Sequence, residues 1–376
     1  MAAILDDARQ QQARRYARLR RRLWLTSTLL GAVYVLAWLI FGWGNALASW
    51  LRTLTVNEWL LVPLFAAVFA GGYGLLGLPF SYYAGFVLPH RFGLSNETLK
   101  GWLVDRLKFL LLGGALGLVI VELIYWALRA TGEYWWLWTA GGMVVFTVLL
   151  VNLAPVLIMP LFNKFVPLGA ERVDLAERLL ALARRAGTRV RGVYQYDMSR
   201  QTKAANAALT GIGNTRRIVV GDTLLNEFTA DEVETVLAHE LGHHVNRDIP
   251  LMILTSSLLT LGGLYLASLI LKWAAGPFGF AGPADVAGMP ALWLVMGAFE
   301  LLTQPLAHAI SRWRERLADR YALEMTGKKE AFASAFVRLA NQNLGEVDPE
   351  TWVVFMFYDH PPLRERIRMA DTWQKL

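Results

Sequence analysis

The chain has 376 residues, of which 55% are hydrophobic and only 18% are charged, whereas soluble domains usually carry about 25% charged residues. This composition excludes a single water-soluble globule, and the absence of cysteine excludes a disulfide framework, a thiolate zinc site and a cysteine nucleophile. The net charge of +7 fits basic loops facing an anionic membrane surface better than nucleic-acid binding, so we expect no nucleic-acid partner.

Six apolar runs are long enough to cross a bilayer as helices, which takes about 20 residues each. Trp and Tyr gather at many of their ends, as expected at a membrane interface. Buried helices of soluble proteins are usually shorter, which disfavours that alternative. The first run has a basic flank like that of a signal peptide, but it is too long and lacks a clear cleavage site. The predicted spans are residues 24–43, 59–79, 107–126, 138–159, 251–273 and 291–310.

Basic residues alternate between the segments that join these runs. They are frequent in the N-terminal arm, in the loop 81–106, between the fourth and fifth runs and after the sixth run. In contrast, Arg52 is the only basic residue in segments 44–58 and 274–290. The positive-inside rule therefore predicts that both termini are cytoplasmic. The chain shows no C-terminal retention signal, so we expect a prokaryotic inner (cell) membrane.

The spans divide the chain into four parts. Residues 1–160 hold the N-terminal arm and four membrane helices, and residues 251–310 hold two more. Segments 161–250 and 311–376 lie on the same side, so they can form one split water-exposed domain. Within its first half the pattern predicts a helix over 171–186 that stops at Gly187. It also predicts strands 190–196, 205–210 and 217–220, with a turn at 211–214. The predicted fold class is mainly α, a polytopic membrane protein with a small β-sheet in its split domain.

A helix predicted over residues 229–244 carries the clearest chemical motif. Thr229 and Glu232 form a candidate capping box at its start. His239 and His243 are four residues apart and so lie on one helical face, where two imidazoles can bind one zinc ion. Glu240 lies beside them without being forced to ligate, and can take a proton from a water that the metal activates and pass it to a leaving amine. The motif predicts a zinc metalloprotease, with two unrelated surface histidines as the alternative.

A catalytic zinc site usually has three protein ligands, and the third must come from elsewhere in the chain. Glu315 and Asp319 are four apart on another predicted helix, just after the sixth span. Glu315 could ligate zinc while Asp319 accepts a hydrogen bond from a ligand histidine, which fixes the tautomer of the ring. An exposed face of salt bridges with Arg312 and Arg316 explains the same spacing equally well.

Several motifs in order resemble those of the type I CAAX prenyl proteases, a family of membrane zinc metalloproteases of the gluzincin type. The resemblance covers most of the chain from about residue 77 onward. It implies that Glu315 is the third zinc ligand and that the chain is a prokaryotic member with a split protease domain. The resemblance to eukaryotic members would imply seven spans, whereas six are predicted here. The motifs lie at residues 79–83, 90–96, 160–165, 206–211, 239–243, 315–319 and 360–363.

The resemblance also gives roles to two weaker positions. Asn206, flanked by Ala205 and Ala207, matches a substrate-binding position on an edge strand, to which an extended peptide can add by main-chain pairing. Without the resemblance, a turn-adjacent asparagine would be the better interpretation. His360 matches a histidine that contacts substrate or stabilises the oxyanion, and its alternative is a helix-capping histidine before Pro361.

We therefore expect an integral membrane zinc endopeptidase, with CAAX-type processing of prenylated peptides as one substrate class. Its partners would be a peptide or membrane-protein substrate and the lipid bilayer. An HtpX-like quality-control protease for membrane proteins is an alternative with the same mechanism. A transporter or structural protein with an incidental zinc site is an alternative of another class. It would place carboxylates and broken helices at the midplane of the membrane, whereas the polar motifs here cluster in the predicted cytoplasmic segments.

Overall fold

The structure, a computed structural model, describes residues 5–211 and 216–374. Its N-terminal part is almost entirely helical, and π-helical turns follow α3 and α6 at Tyr83–Val87 and Ala154–Ile158. The Arg-rich arm and the first apolar run form one 34-residue helix. The helices are α1 (Asp7–Ile40), α2 (Trp43–Leu54), α3 (Glu58–Tyr82), α4 (Leu88–Arg91), α5 (Leu99–Ala130), α6 (Trp135–Leu153) and α7 (Met159–Phe162).

A small mixed sheet and three helices follow. The strands are β1 (Phe165–Pro167), β2 (Val193–Tyr196), β3 (Ala207–Thr210) and β4 (Arg217–Gly221), with helix α8 (Val173–Arg185) between β1 and β2. Helices α9 (Asp222–Glu227) and α10 (Ala230–Val245) come after β4. The strand order is β1-β2-β4-β3, so β3 lies at an edge. Its pairing with β4 is antiparallel, and β2 and β4 run parallel.

The predicted small sheet is confirmed: β2 and β3 are shorter than the predicted strands 190–196 and 205–210, and β4 extends one residue beyond the predicted 217–220. β1 was missed because three residues are too few to show an alternating pattern. The predicted turn at 211–214 falls mostly on residues outside the described ranges, although Gly211 has the positive φ of 83° expected of a turn. The helix predicted over 171–186 is α8 preceded by a short 3-10 turn, and Gly187 ends it with a φ of 65°.

The C-terminal part contains two long helices and three short ones. These are α11 (Asp248–Phe278), α12 (Met289–Thr326), α13 (Lys329–Gln342), α14 (Thr351–Phe357) and α15 (Leu363–Thr372). Helix α12 has 38 residues and continues without a break beyond the end of the last apolar run. The proposed four-part division of the chain remains a prediction, and its boundary at residue 310 falls inside this helix.

Six helices of the described chain are long and apolar enough to cross a membrane, which confirms the six predicted spans. Their packing buries one apolar cluster that includes Phe65, Phe69 and Tyr125. A second cluster lies between the sheet, α8, α10, α13 and α15. Helix α10 is central to this second cluster, because Val233, Leu237 and Leu241 on its inner face are at most 1% exposed.

Candidate metal centre

Helix α10 positions the histidine motif, and its start is fixed by local sequence. The Thr229 side chain accepts a hydrogen bond from the Glu232 backbone, and Glu232 accepts one from the Thr229 backbone, so the predicted capping box is present. The same Glu232 carboxylate accepts from Ser334 at 2.6 Å and Arg338 at 2.8 Å on α13. These contacts fix the beginning of α10 against the C-terminal half of the domain.

The histidines of α10 meet a carboxylate of α12. His239 Nε2 and His243 Nε2 are 3.1 Å apart. Glu315 approaches both, with Oε2 at 3.3 Å from His239 Nε2 and Oε1 at 3.3 Å from His243 Nε2. One ligand atom from each of the three residues lies within 4.8 Å of the others, in an arrangement that could hold a metal ion. The structure thus brings together the two histidines and the carboxylate predicted as ligands.

The donor set fits zinc by chemistry and by spacing. Asp319 and Asp248 face the two Nδ1 atoms at 2.9 and 2.7 Å. Each ring can therefore carry its proton on Nδ1 and direct its Nε2 lone pair inward. Two lone pairs 3.1 Å apart repel unless a cation or proton lies beside them, and the nearby Glu315 Oε2 is buried without a hydrogen-bond partner. Tetrahedral zinc with bonds of about 2.0–2.1 Å separates its ligand atoms by about 3.3 Å, close to the distances seen here.

An ion pair lies on the Nδ1 side of the His239 ring, and the sequence analysis predicted only its acidic member. Asp319 is fully buried and lies beside His239 Nδ1, as predicted. Its other partner is Arg366 of α15, which donates from Nε to Asp319 Oδ2 at 2.8 Å and from Nη2 to Oδ1. The guanidinium also lies 3.9 Å from the ring centre of Phe336. We missed Arg366 because it is one of three Arg residues at alternating positions of a short helix, a pattern that gives no sign of burial.

The salt-bridge alternative for this part of α12 does not match the contacts. Glu315 is 6% exposed. Arg312 donates instead to the backbone oxygens of Val354 and Tyr358, and Arg316 pairs with Glu365 on α15.

His243 has a similar support that sequence reasoning did not find. Asp248, the first residue of α11, faces His243 Nδ1 and also pairs with Arg314 of α12. The only sequence signal was an acidic residue five positions after the histidine. That spacing places the two side chains on different faces of a continuous helix, so the contact exists only because the chain turns between α10 and α11.

The two polar groups central to α10 have shifted acidities. Burial raises the pKa of Glu240, and the neighbouring His239 and His243 oppose that shift. Burial lowers the pKa of His239, but the neighbouring carboxylates of Asp319 and Glu315 outweigh it and raise the pKa to about 9. A metal ion at His239 would therefore have to displace a proton.

His360 lies against the ligand cluster. Its Nε2 is 3.3 Å from Glu315 Oε1, its Nδ1 is 2.8 Å from Asp359 Oδ1, and its side chain is 52% exposed. A half-exposed imidazole beside the candidate ligand can reach both the site and an incoming substrate.

Asn206 was predicted on the edge strand, and the structure places it one residue before that strand. It directly precedes β3, which packs against α10. Its backbone oxygen accepts from the Gly221 amide at 2.9 Å, and its exposed side chain hydrogen-bonds Tyr196. Burial raises the pKa of Tyr196 to about 12, and the charge of Glu240 adds to that shift. The flanking Ala205 and Ala207 are buried, and the Ala205 amide donates to Asn343 Oδ1.

Comparisons with known proteins match nearly the full length of the chain. Residues 1–164 match a family model described as CAAX prenyl protease N-terminal, five membrane helices, and residues 170–374 match peptidase family M48. An uncharacterised metalloprotease of Bacillus subtilis is 28% identical over 98% of this chain and 87% of that protein. CAAX prenyl protease 1 of Saccharomyces cerevisiae is 32% identical over 79% of this chain and 69% of that protein. The crystal structure of S. mikatae Ste24p superposes with a TM-score of 0.86 at 28% identity, covering 98% of this chain and 90% of that one.

Proposed function

Because the chain belongs to peptidase family M48 and is a membrane metalloprotease of the CAAX protease family, we propose that it cleaves peptide bonds with one zinc ion held by His239, His243 and Glu315. The observation that carries this proposal is the convergence of two Nε2 atoms and one carboxylate at mutual distances of 3.1 and 3.3 Å. The three donors are nitrogen and oxygen atoms, which suit zinc in a catalytic site with an open position.

The mechanism follows from the residues around that position. Bound zinc would supply a Lewis acid that polarises a carbonyl oxygen and makes water more acidic. Glu240 takes the proton from the attacking water, because its carboxyl lies beside the two histidines and its raised pKa makes it a better proton acceptor than an ordinary glutamate. Glu240 then gives that proton to the leaving amine. His360 donates from its ring to the carbonyl oxygen as negative charge develops there.

The edge strand offers a place for the substrate. An extended peptide can pair with β3, the edge of the sheet beside α10. Asn206, between Ala205 and Ala207, then lies where its amide can hold the carbonyl under attack.

The proposed substrates are peptides or membrane proteins that reach the site at the membrane surface. CAAX-type processing of prenylated peptides is the class we propose first, because a relative of 32% identity is named CAAX prenyl protease 1. We propose a prokaryotic inner membrane with the protease region and both termini in the cytoplasm. Exposed arginines on α1, at positions 14, 15, 18 and 22, support this orientation.

The proposal is tested on the purified full-length protein in detergent. We expect about one zinc per chain by elemental analysis and cleavage of an internally quenched peptide. Glu240→Gln should keep the zinc and lose about 10²- to 10⁴-fold in kcat, because the base is gone while the ligands remain. The exposed Glu177→Gln on α8 is the matched control and should cleave like the parent. If Glu240→Gln cleaved at the parental rate, the assignment of the base would be wrong.

A matched pair of peptides tests the substrate class. One carries a farnesylated C-terminal CAAX sequence, and the other has the same sequence without the lipid. A preference of tenfold or more in kcat/KM for the lipidated peptide supports CAAX-type processing. Equal cleavage of both contradicts that specificity and leaves the zinc protease assignment in place.

A further inference from the structure

The corner between α10 and α11 has an unusual backbone. Arg247 has φ 56° and ψ 44°, a left-handed conformation that non-glycine residues rarely adopt. Its own side chain is exposed. If α10 continued through this point, residue 248 would lie about 140° around the axis from residue 243. The left-handed turn instead brings the Asp248 side chain next to the His243 ring.

The Asp248 carboxylate divides its two oxygens between two partners. It is only 3% exposed. Oδ2 faces His243 Nδ1 at 2.7 Å, and Oδ1 accepts from Arg314 Nε at 2.5 Å. Arg314 is itself fixed, because its Nη2 donates to the Asn246 backbone oxygen at 2.6 Å. The ion pair with Arg314 satisfies one oxygen of the buried carboxylate, and the other is left for the imidazole.

We propose that Asp248 is the positioning residue for His243. Its carboxylate accepts a hydrogen bond from the ring Nδ1–H, fixes the tautomer whose Nε2 lone pair faces Glu315, and holds the ring plane in that direction. Because Asp248 is the first residue of α11, His243 is held by an apolar helix long enough to cross a membrane. This inference rests on the proposed zinc function and goes beyond it by naming what sets the geometry of one ligand.

The test measures zinc affinity rather than turnover. The full-length protein in detergent is titrated with zinc against a chelator of known affinity. Asp248→Ala should weaken zinc binding by about 10- to 100-fold, because the ring loses its orientation and its preferred tautomer. Asp248→Asn keeps an oxygen that can accept the Nδ1 proton, so it should recover most of that loss. Glu315→Ala serves as the variant that removes a ligand outright.

Asp105 offers a matched control for the loss of a buried ion pair. It lies near the start of α5, is 6% exposed, and accepts from Lys108 at 2.9 Å and Gln201 at 2.7 Å. Like Asp248, it also pairs with an arginine, Arg200 at 3.3 Å. Asp105→Ala should lower the melting temperature as Asp248→Ala does. It should leave the zinc dissociation constant unchanged, because none of its partners contacts a ligand histidine in the described structure.

Three results would count against the proposal, and they are distinguishable. Parental zinc affinity in Asp248→Ala, with loss in Glu315→Ala, would overturn the positioning role and leave the zinc site intact. Equal weakening by Asp248→Ala and Asp105→Ala would show that the effect is only structural, which also overturns it. No zinc binding by the parent chain would overturn the proposed zinc function itself. Weakening by Asp248→Ala alone, with recovery in Asp248→Asn, supports the proposal.

Discussion

At the scale of single residues, each histidine of the candidate site is supported by an aspartate that is paired with an arginine. Asp319 and Arg366 support His239, and Asp248 with Arg314 is the corresponding pair at His243. Buried carboxylates need such partners because removing one member leaves an uncompensated charge in a poorly solvated place. At Asp319, burial raises the pKa of the carboxyl, but the charge of Arg366 and the contact with His239 outweigh it and lower the pKa, which favours the ionised form that accepts a hydrogen bond from imidazole.

Arg366 gives a prediction about stability at this scale. Arg366→Ala leaves the fully buried Asp319 without its guanidinium and removes the contact with Phe336. Breaking a buried pair in this way costs about 3–5 kcal/mol. We expect a strongly lowered melting temperature in detergent, measured by following tryptophan fluorescence on heating.

Arg364 on the same helix is the control for that experiment. Its pair with Asp348 is 2.9 Å long, and both side chains are 58% exposed. Surface pairs contribute only about 0–1 kcal/mol, so Arg364→Ala should melt close to the parent. Equal destabilisation by the two variants would show that the burial of Arg366 does not have the effect claimed.

At the scale of elements, the close approach of α10 and α12 explains why the ligands meet. A Cβ atom added at Gly242 would lie 2.9 Å from Ala318 Cα and 3.1 Å from its backbone oxygen. No rotation of a side chain can relieve such a contact with backbone. Only glycine at this position lets the helix with His239 and His243 approach the helix with Glu315 closely enough for a shared ion.

Gly242→Ala should therefore push the two helices apart. We expect a loss of about 1–3 kcal/mol in stability, as is usual for overpacking, together with weaker zinc binding because the proposed site takes its ligands from both helices. Thermal melting and chelator competition measure the two effects. Gly297→Ala on α12 is the control, since nothing lies within 4 Å of its added Cβ and alanine is the better helix former by about 1 kcal/mol. Similar zinc affinities in the two variants would contradict this account.

The elements also show which features the sequence could predict. The six spans and α10 depend on local signals, namely apolar run length, four-residue spacing and the capping box of Thr229 and Glu232. Arg366 could not be found in this way, because it contacts His239 but lies 127 positions away from it in the chain. Its burial depends on the packing of α15. Asp248 was close in sequence but was hidden by the left-handed turn at Arg247, which no residue preference indicates.

At the scale of the whole molecule, the N-terminal helix joins the membrane part to the protease region. Gln10 of α1 donates to the Gly345 backbone oxygen at 3.1 Å and accepts from the Val347 amide at 3.2 Å. Arg21 pairs with Glu346 at 3.2 Å. The beginning of the chain thus contacts the segment between α13 and α14. Together with α12, which carries Glu315, it fixes the position of the C-terminal half relative to the apolar helices.

This arrangement gives a prediction about orientation in the membrane. The first turn of α1 lines the same pocket as Glu227, near the protease region, whereas Val56 lies between α2 and α3, just before the second apolar span, and is 89% exposed. A helix of 34 residues is about 50 Å long, enough to cross a bilayer, so we expect Val56, which lies between the first two spans, on the side opposite Glu227. The chain contains no cysteine, which allows Val56→Cys and Glu227→Cys to be labelled one at a time without background.

We expect a membrane-impermeant maleimide to label Val56→Cys in spheroplasts and to label Glu227→Cys only after permeabilisation, because the basic end of α1 is retained in the cytoplasm. Peptide cleavage at the parental rate by both variants serves as the control for folding. The opposite labelling pattern would place the protease region outside the cell and contradict the proposed orientation. It would also exclude cytoplasmic peptides as substrates, since β3 and His360 would then face the external medium.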